Sequence, residues 1–239
     1  MRLNKYISSS GICSRREADK LIDQGKVEVN GEVVGLGAKV QEGDKVQVNG
    51  KLIKKKNNDV YIALNKPRGI TSTTERHIKG NIIDYINYPE RIFPIGRLDK
   101  DSEGLILLTN DGSIVNKILR EENNHDKDYI VAVDKNIDGN FIKKMSNGVK
   151  IYNPVKKSYI ITKKCHVLQL NKRTFKITLS QGLNRQIRRM CSKCGYNVVK
   201  LKRTRIINIS LNDLPTGKWR YLTDEELRSI NKELKKMGK

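Results

Sequence analysis

Residues 94–104 combine three carboxylates, Asp99, Asp101 and Glu103, with glycines at positions 96 and 104. The apolar run 105–108 follows at once and predicts a buried strand, so the carboxylates belong to the loop that leads into it. A carboxylate that the fold holds against a cation stays ionised and is ready to act as a nucleophile or a base. This loop is therefore the first candidate for a catalytic site.

A calcium site is one alternative for the same loop. Residues 99–104 match the first half of a calcium-binding loop, with oxygen ligands at positions 1, 3 and 5 and glycine at position 6. Position 12 is Asn110 instead of a bidentate Glu, and Pro94 and Gly96 replace the entering helix. The pattern therefore favours catalysis over calcium binding.

A zinc site is the second alternative, since Cys191 and Cys194 form a Cys-x-x-Cys pair that Cys165 and His166 could complete. The same two thiols become ordinary core residues if residues 182–195 form a helix, which we favour. The four cysteines lack the spacing of a disulfide framework and indicate reduced thiols. No phosphate-binding loop, dinucleotide fingerprint or serine-nucleophile motif is present, so we predict neither a cofactor nor a metal.

The predicted helix over residues 182–195 would place cations opposite the acidic loop. Its apolar face would contain Ile187, Met190, Cys191 and Cys194, and its other face Arg185, Arg188 and Arg189. Like charges at this spacing repel each other, and they become favourable when a carboxylate or a phosphate lies between them.

The charge balance predicts an anionic partner. The 239 residues include 48 Lys and Arg against 26 Asp and Glu, a formal charge of +22, and residues 139–212 contain no acidic residue. RNA or DNA is the first expectation and an anionic membrane surface the second. The chain has no run of about 18 apolar residues and no apolar segment typical of a signal peptide at its start, so we expect a soluble cytoplasmic protein.

The sequence pattern of the first 56 residues predicts a separate small module of helices followed by strands. Ser14 and Glu17 form a capping box that starts a helix over residues 15–24, after a shorter helix over residues 3–8. Asn-Gly pairs at positions 30–31 and 49–50, between alternating apolar residues, predict two hairpins with type I′ turns. A polar linker at about residues 54–59 should follow.

Arg15 and Arg16 fall in the first turn of the predicted second helix, where the helix dipole opposes cations. Two positive charges there indicate a nearby phosphate. The alternative is a pair of solvated surface arginines, because exposed charges near helix ends cost only about 0.3–1 kcal/mol each.

Residues 57–239 predict a larger α+β domain. Strand patterns occur at residues 60–64, 129–133 and 175–179, and Thr223 and Glu226 form a second capping box before an amphipathic helix. Strands and helices are mixed along the domain without a repeating βα unit, so we expect a mixed or antiparallel sheet with flanking helices. Residues 65–69, which contain Pro and Gly between basic side chains, predict a turn after the first of these strands.

Several of these segments together resemble one enzyme family across essentially the whole chain. The run GRLDKDSEGL at residues 96–105 resembles the signature of ribosomal-RNA pseudouridine synthases of the small-subunit-A and large-subunit-B, E and F type, and YIALNKP at 61–67 and GLNRQIRRM at 182–190 match two further segments. FPIG at 93–96 and LKRTRI at 201–206 are most similar to the F type. RLNKY at 2–6 and SRREA at 14–18 resemble the ribosomal-protein S-four-type RNA-binding domain.

The resemblance implies a role for individual residues. It makes Asp99 the catalytic aspartate, Tyr129 the ring that packs on the target base, Arg188 the partner of the aspartate and Leu201 an apolar pocket residue. Asp128 stands where the family pattern has Glu. Further substrate-binding residues are expected at Arg97, Lys66 and Arg185, and RNA-binding residues in the first module at Arg2, Lys5, Arg15, Arg16 and Lys20.

The implied reaction detaches a uracil in RNA, turns it and rejoins it to the sugar through carbon 5, without cofactor or metal. Asp99 would either attack the anomeric carbon or remove the 2′ hydrogen of the sugar, and both routes stay open. We expect a monomer that acts on large-subunit ribosomal RNA, with a small-subunit or transfer RNA site as alternatives. A non-catalytic RNA-binding assembly factor is the competing hypothesis, for which substitution of Asp99 would be silent.

Overall fold

The computed structural model describes residues 1–55, 58–119 and 125–236. The chain forms two compact units, one comprising residues 1–60, 88–93 and 109–112, and the other comprising the remainder. Lys56 and Asn57, within the predicted linker 54–59, lie outside the described residues, so the boundary predicted between residues 56 and 57 stays a prediction. Among the described helices, none has both the length and the apolar character needed to cross a bilayer.

The first unit is built from two helices and a four-stranded sheet. Helices α1 (Leu3–Ser9) and α2 (Arg15–Asp23) precede strands β1 (Val27–Val29), β2 (Glu32–Val33), β3 (Val46–Val48) and β4 (Lys51–Ile53). The strands are antiparallel in the order β2-β1-β3-β4. Its core includes Leu3, Ile7, Ile22, Val27 and Val46.

Local signals in the first unit are confirmed. The Ser14 hydroxyl accepts from the backbone N–H of Glu17, and the Glu17 carboxylate accepts from the N–H of Ser14, which completes the capping box of α2. Asn30 and Asn49 have φ of 55° and 50°, and the glycine after each also has positive φ, as a type I′ turn requires.

The second unit is centred on a large mixed sheet. Its main path runs β11-β12-β8-β13-β7-β5-β15, with β14 paired to β13 and β6 to β7. All pairings described on this path are antiparallel except the parallel pair β13 and β7. The strands are β5 (Tyr61–Lys66), β6 (Phe93–Ile95), β7 (Glu103–Thr109), β8 (Lys127–Val133), β11 (His166–Asn171), β12 (Thr174–Leu179), β13 (Val198–Ile206), β14 (Ile209–Ser210) and β15 (Trp219–Tyr221), and β9 (Lys150–Asn153) forms a separate hairpin with β10 (Ser158–Ile161).

Helices flank this sheet and two apolar cores hold it. The helices are α3 (Ile82–Ile86), α4 (Gly112–Leu119), α5 (Gly139–Asn147), α6 (Gln186–Lys193) and α7 (Asp224–Lys236). One core packs residues such as Val131, Phe175, Met145, Met190 and Cys191, and the other packs residues such as Leu105, Leu107, Ile114, Ile209 and Ile230. Every residue of β7 is buried, which confirms the buried strand predicted at residues 105–108 and fixes the acidic loop to the interior.

Two predicted element boundaries in this unit are wrong. The helix expected over residues 182–195 begins only at Gln186, because Arg185 adopts a left-handed conformation with φ of 50°. The first strand does not end at residue 64 but continues through Asn65 and Lys66, both of which are buried. The second capping box is confirmed by reciprocal hydrogen bonds between Thr223 and Glu226.

Candidate active site

A cavity of about 500 Å³ opens in the second unit beside the acidic loop. Of the substrate-binding residues predicted from the sequence, Arg97, Tyr129, Arg185, Arg188 and Leu201 line it, together with Asp99. Its walls come from the acidic loop, from strands β8 and β13, and from the segment that leads into α6. Of the residues predicted to act on or bind the substrate, the structure therefore brings all but Lys66 to one cavity.

The sheet register places an aromatic ring and an apolar side chain on the same wall of the cavity. Tyr129 lies opposite Arg203 in the antiparallel pairing of β8 with β13, and Val131 lies opposite Leu201. Residues two apart on a strand share a face, so Tyr129 and Leu201 present their side chains to the same side. Both are nearly buried, which makes this wall a mostly dry surface on which a flat base can pack.

Backbone contacts hold the acidic loop in place. The Ser72 hydroxyl donates to the carbonyl oxygen of Leu98 (2.8 Å) and accepts from the N–H of Leu98 (3.3 Å). The N–H of Gly69 donates to the carbonyl of Lys100 at 2.7 Å, and the N–H of Ser102 donates to the carbonyl of Asp99 at 3.0 Å. Asp99 is thus bracketed on both sides by fixed backbone, which preorganises its carboxylate.

Two arginines from the α6 segment bind the acidic loop through Asp101. Arg185 donates from Nη1 and Nη2 to the two carboxylate oxygens of Asp101, at 3.1 and 2.9 Å. Arg188 lies with Nε 3.4 Å from Asp101 Oδ2, and its Nη2 donates to the backbone oxygen of Asp101 and to Ser102 Oγ, both at 3.1 Å. These contacts join residues more than 80 positions apart in the chain.

The pairing predicted between Arg188 and Asp99 is therefore corrected. Arg188 pairs with Asp101, whereas the cation that approaches Asp99 is Arg185, with Nη1 3.7 Å from Asp99 Oδ2. The hydrogen bonds from Arg185 lower the pKa of Asp101, and burial lowers the pKa of Arg188. Asp101 receives the close contacts of both arginines, so the carboxylate of Asp99 is left more open to a substrate than a direct fork with Arg188 would allow.

Arg203 is a site residue that the sequence reasoning missed. It is only 5% exposed and donates from Nε to the carbonyl of Leu105 at 2.7 Å and from Nη1 to the carbonyl of Arg97 at 3.4 Å. These two carbonyls lie at the two ends of the acidic loop, so the guanidinium of Arg203 links the residue before Leu98 to the residue after Gly104. The signal was present: in the alternation of β13 an arginine occupies an inward position, two residues after Leu201.

Lys66 requires a correction, because it was predicted to bind substrate. Its side chain is fully buried, and the ammonium donates to the carbonyl oxygens of Pro67 and Ile70, both at 2.9 Å. Desolvation lowers its pKa to about 8, against the opposing effect of Asp101 and Asp99. Lys66 therefore stabilises the turn that follows β5 through these two hydrogen bonds, and it is not among the residues that line the cavity.

The alternatives with metals find no support in the arrangement of the described side chains. Cys191 is buried in the apolar core, where desolvation raises its pKa to about 12, so its thiol stays protonated. Asp101, in the acidic loop, is bound by arginines. Glu103 was predicted in the same loop, but it is the first residue of β7, where it pairs with Lys200 at 3.1 Å. Within the described ranges no group of three or more His, Cys, Asp or Glu side chains is placed to hold a metal ion.

Comparison with known proteins identifies the family of this chain. A family model described as RNA pseudouridylate synthase matches residues 60–193, and an S4 domain model matches residues 1–46. The chain belongs to the RNA pseudouridylate synthase family. It is an isomerase with an N-terminal S4 domain that binds RNA, as the sequence predicted.

Individual relatives agree with this assignment. The chain is 58% identical to the dual-specificity RNA pseudouridine synthase RluF of Salmonella typhi, over 97% of this chain and 78% of that protein. It is 38% identical to the ribosomal large subunit pseudouridine synthase B of Bacillus subtilis, over 96% of this chain and 95% of that protein. A crystal structure of a pseudouridylate synthase superposes with a TM-score of 0.70 at 28% identity and covers 96% of this chain and 99% of the other, which confirms the predicted two-part α+β fold.

In the S4 domain of this synthase, the basic residues predicted to bind RNA lie on the first two helices. Arg2 directly precedes α1, Lys5 lies within it, and Arg15, Arg16 and Lys20 belong to α2. All five are exposed. None of them forms an ion pair with a carboxylate in the part of the chain that the structure describes, so their charges face solvent. Their role in RNA binding stays a prediction.

Proposed function

We propose that this chain converts a specific uridine of ribosomal RNA, in the large subunit, to pseudouridine, with Asp99 as the catalytic group and without a cofactor. The observation that supports the proposal best is the position of Asp99 at a cavity that Tyr129 and Leu201 also line. A carboxylate next to a site that accepts a flat ring is the arrangement that uracil detachment and reattachment needs.

The chemistry requires no oxidant or reductant. The bond between C1′ of the sugar and N1 of uracil breaks, and a bond between C1′ and C5 forms. A proton leaves C5 and N1 gains one, so the product has the composition of the substrate. Asp99 starts the reaction either by attacking C1′ or by removing the 2′ hydrogen of the sugar, and both routes need an ionised carboxylate.

Arg185 is the cation that approaches Asp99 in the described structure. Arg185 lies 3.7 Å from Asp99, and its main hydrogen bonds go to Asp101. Because the fork is made to Asp101, the oxygens of Asp99 stay available to the sugar. Arg188, which is partly buried and donates to the loop backbone, holds the loop against α6.

Base binding requires that the target uridine leave its stack. Flipping costs a few kcal/mol, least where the nucleotide is already unpaired, and stacking on Tyr129 returns about 1–3 kcal/mol. Leu201 provides the apolar surface beside that ring. The favourable substrate is therefore a uridine in a loop or at the end of a stem.

The choice of RNA rests on the relatives. RluF of Salmonella typhi is named a dual-specificity RNA synthase, and the Bacillus subtilis relative is named a ribosomal large subunit synthase. We infer that this chain acts on large-subunit ribosomal RNA and, in line with dual specificity, that a transfer RNA is the candidate second substrate.

Mapping of pseudouridines by chemical labelling in a strain that lacks the gene tests the proposal. We expect one or more sites of ribosomal RNA to lose the modification and to regain it with the wild-type gene. Complementation with Asp99→Asn should restore none of them, although the variant should bind RNA at least as well as the wild type. Asp213→Asn, which removes the same charge at an exposed position outside the cavity, should restore all of them. Modification by the Asp99→Asn protein would falsify the assignment of this residue, and unchanged ribosomal RNA in the deletion strain would rule out the substrate.

A further inference from the structure

The hairpin of β9 and β10 carries two tyrosines on its outward face. Tyr152 and Tyr159 lie directly opposite each other in the antiparallel register, and their rings meet edge to face with centroids 5.4 Å apart. Tyr152 is 43% and Tyr159 66% exposed, whereas Ile151 on the inward face belongs to the core. The outward face of a hairpin is ordinarily polar, so two exposed rings there call for a reason.

Basic side chains surround this aromatic pair. The ammonium of Lys150 lies 5.7 Å from the ring centroid of Tyr159, and Lys156 and Lys157 occupy the turn of the hairpin. Acidic residues are absent from the whole stretch 139–212 to which the hairpin belongs. Exposed aromatic rings with cations beside them are the pattern that binds single-stranded nucleic acid, with bases on the rings and phosphates on the lysines.

The hairpin is fixed next to the active site. Val155, in its turn, lines the same cavity as Asp99, and Tyr152 precedes it by three residues, a distance of about 10 Å along an extended chain. Arg189 donates from Nη1 to the carbonyl of Tyr152 at 2.9 Å, which ties the hairpin to α6, the helix that also carries Arg188. The hairpin that carries the two rings is therefore attached beside the cavity.

We propose that Tyr152 and Tyr159 form a stacking platform for an unpaired nucleotide adjacent to the target uridine, with Lys150 bound to its phosphate. The platform deepens the proposed function, since it rests on RNA as the substrate. Tyr159 is the more exposed ring and receives the base. The ring of Tyr152 supports the ring of Tyr159 through their edge-to-face contact. A nucleotide held here keeps its flipped neighbour from returning to the stack while the cavity is occupied.

The test measures binding without turnover. In an Asp99→Asn background, the affinity for a fluorescein-labelled, 12-nucleotide single-stranded oligouridylate is followed by anisotropy. Loss of one stacked base should weaken binding by about 5- to 100-fold in Tyr159→Ala. Tyr159→Phe keeps the ring and should bind within about twofold of its parent. Tyr159→Ala with the affinity of its parent would overturn the proposal.

A second variant separates stacking from support of the hairpin. Tyr159→Leu retains apolar contact with Tyr152 but has no ring, so it should bind as weakly as the alanine variant while its thermal midpoint stays near that of the parent. Binding by Tyr159→Leu equal to that of Tyr159→Phe would show that packing, not stacking, matters, and would refute the platform. This variant also decides the question if Tyr159→Ala does not fold.

Tyr221→Ala is the matched control. Tyr221 is 54% exposed and forms an edge-to-face pair with Trp219 at the same 5.4 Å, but it lies on β15 and does not line the cavity. Its loss should leave RNA affinity within about twofold. Because these measurements need no product, their outcome is independent of whether Asp99 or ribosomal RNA has been assigned correctly.

Discussion

Gly104 lies so close to Arg203 that a β-carbon on Gly104 would come within 2.2 Å of the Arg203 carbonyl oxygen and 2.6 Å of its backbone nitrogen. The two residues are partners in the parallel pairing of β7 with β13. The Arg203 side chain in turn binds the carbonyl of Leu105, the next residue of β7. Backbone and side chain of Arg203 thus fix the point where the acidic loop becomes a buried strand.

Gly104→Ala should destabilise the protein by at least about 2 kcal/mol and abolish most activity. Gly104 has φ of 108°, which costs an alanine about 1–3 kcal/mol, and the clash with backbone atoms adds to this because neither strand can move alone. Denaturant unfolding measures the loss. Gly139→Ala is the control, since Gly139 has ordinary φ and open space around its Cα, and it should change stability by less than about 0.5 kcal/mol. Equal stability of the two variants would contradict the proposed packing.

Arg185→Lys should lower kcat about tenfold with little change in KM. Arg185 binds both oxygens of Asp101 and also approaches Asp99, and a lysine ammonium cannot replace a fork of two parallel hydrogen bonds. Without the fork the acidic loop loses a contact to the α6 segment, and the shorter lysine no longer holds its charge in the same place beside Asp99. Steady-state pseudouridine formation on a single RNA separates the two constants.

Arg220→Lys is the control for losing a pair of parallel hydrogen bonds from an arginine to a carboxylate outside the site. Arg220 makes two hydrogen bonds of 2.7 Å to Glu226, far from the cavity lining. Its substitution should leave both kinetic constants unchanged. If Arg185→Lys also kept the kcat of the wild type, the contact between the α6 segment and the acidic loop would not matter for turnover.

The sequence predicted best what depends on neighbours in the chain. The capping box of Ser14 and Glu17 and the turns at Asn30 and Asn49 involve residues at most three positions apart, so their geometry is decided locally. The proposal of Asp99 as the catalytic group came from the resemblance of a contiguous run to a family signature. None of these required knowledge of a distant partner.

What the sequence could not predict depends on distant partners. Periodicity favoured a helix through Arg185, but the fork to Asp101, 84 residues away, and the Gln186 side chain that accepts from the N–H of Leu183 favour a loop there. Polarity favoured a turn at Asn65 and Lys66, but β5 is an interior strand whose neighbours bury both side chains. Arg203 was overlooked for the same reason, since its acceptors are carbonyls about 100 residues earlier.

Asp128→Asn should destabilise the protein at neutral pH by about 2–3 kcal/mol. Burial acts to raise the pKa of Asp128, but hydrogen bonds from Arg205, Lys176 and Thr178 outweigh it and hold the pKa well below its ordinary value. The carboxylate joins β8 to β13 and β12 through these partners. Removal of its charge leaves Arg205 without its counterion, and the partial exposure of Arg205 keeps the cost at the lower end for such pairs.

The same substitution has a defined pH dependence. Because the folded-state pKa lies below the unfolded value of about 3.9, the carboxylate stabilises the fold fully above about pH 5 and loses this effect as the pH falls further. Urea unfolding of wild type and Asp128→Asn at pH 7, 5, 4 and 3 should show a difference that is constant at the first two values and shrinks at the last two. A difference that grew toward acid would contradict this sign.

Substitution of Arg15 and Arg16 should weaken RNA binding in a salt-dependent way. Both are exposed in the first turn of α2, where the helix dipole disfavours cations unless an anion is near. If each contacts one phosphate, Arg15→Ala combined with Arg16→Ala reduces the slope of log K against log salt by about 1.4 on single-stranded and 1.8 on duplex RNA. Lys51→Ala, which removes one charge from β4 of the same unit, should change the slope by much less. An unchanged slope in the double variant would mean that these arginines are solvated surface residues, and the RNA contacts of the S4 domain would then have to come from other cations such as Arg2, Lys5 and Lys20.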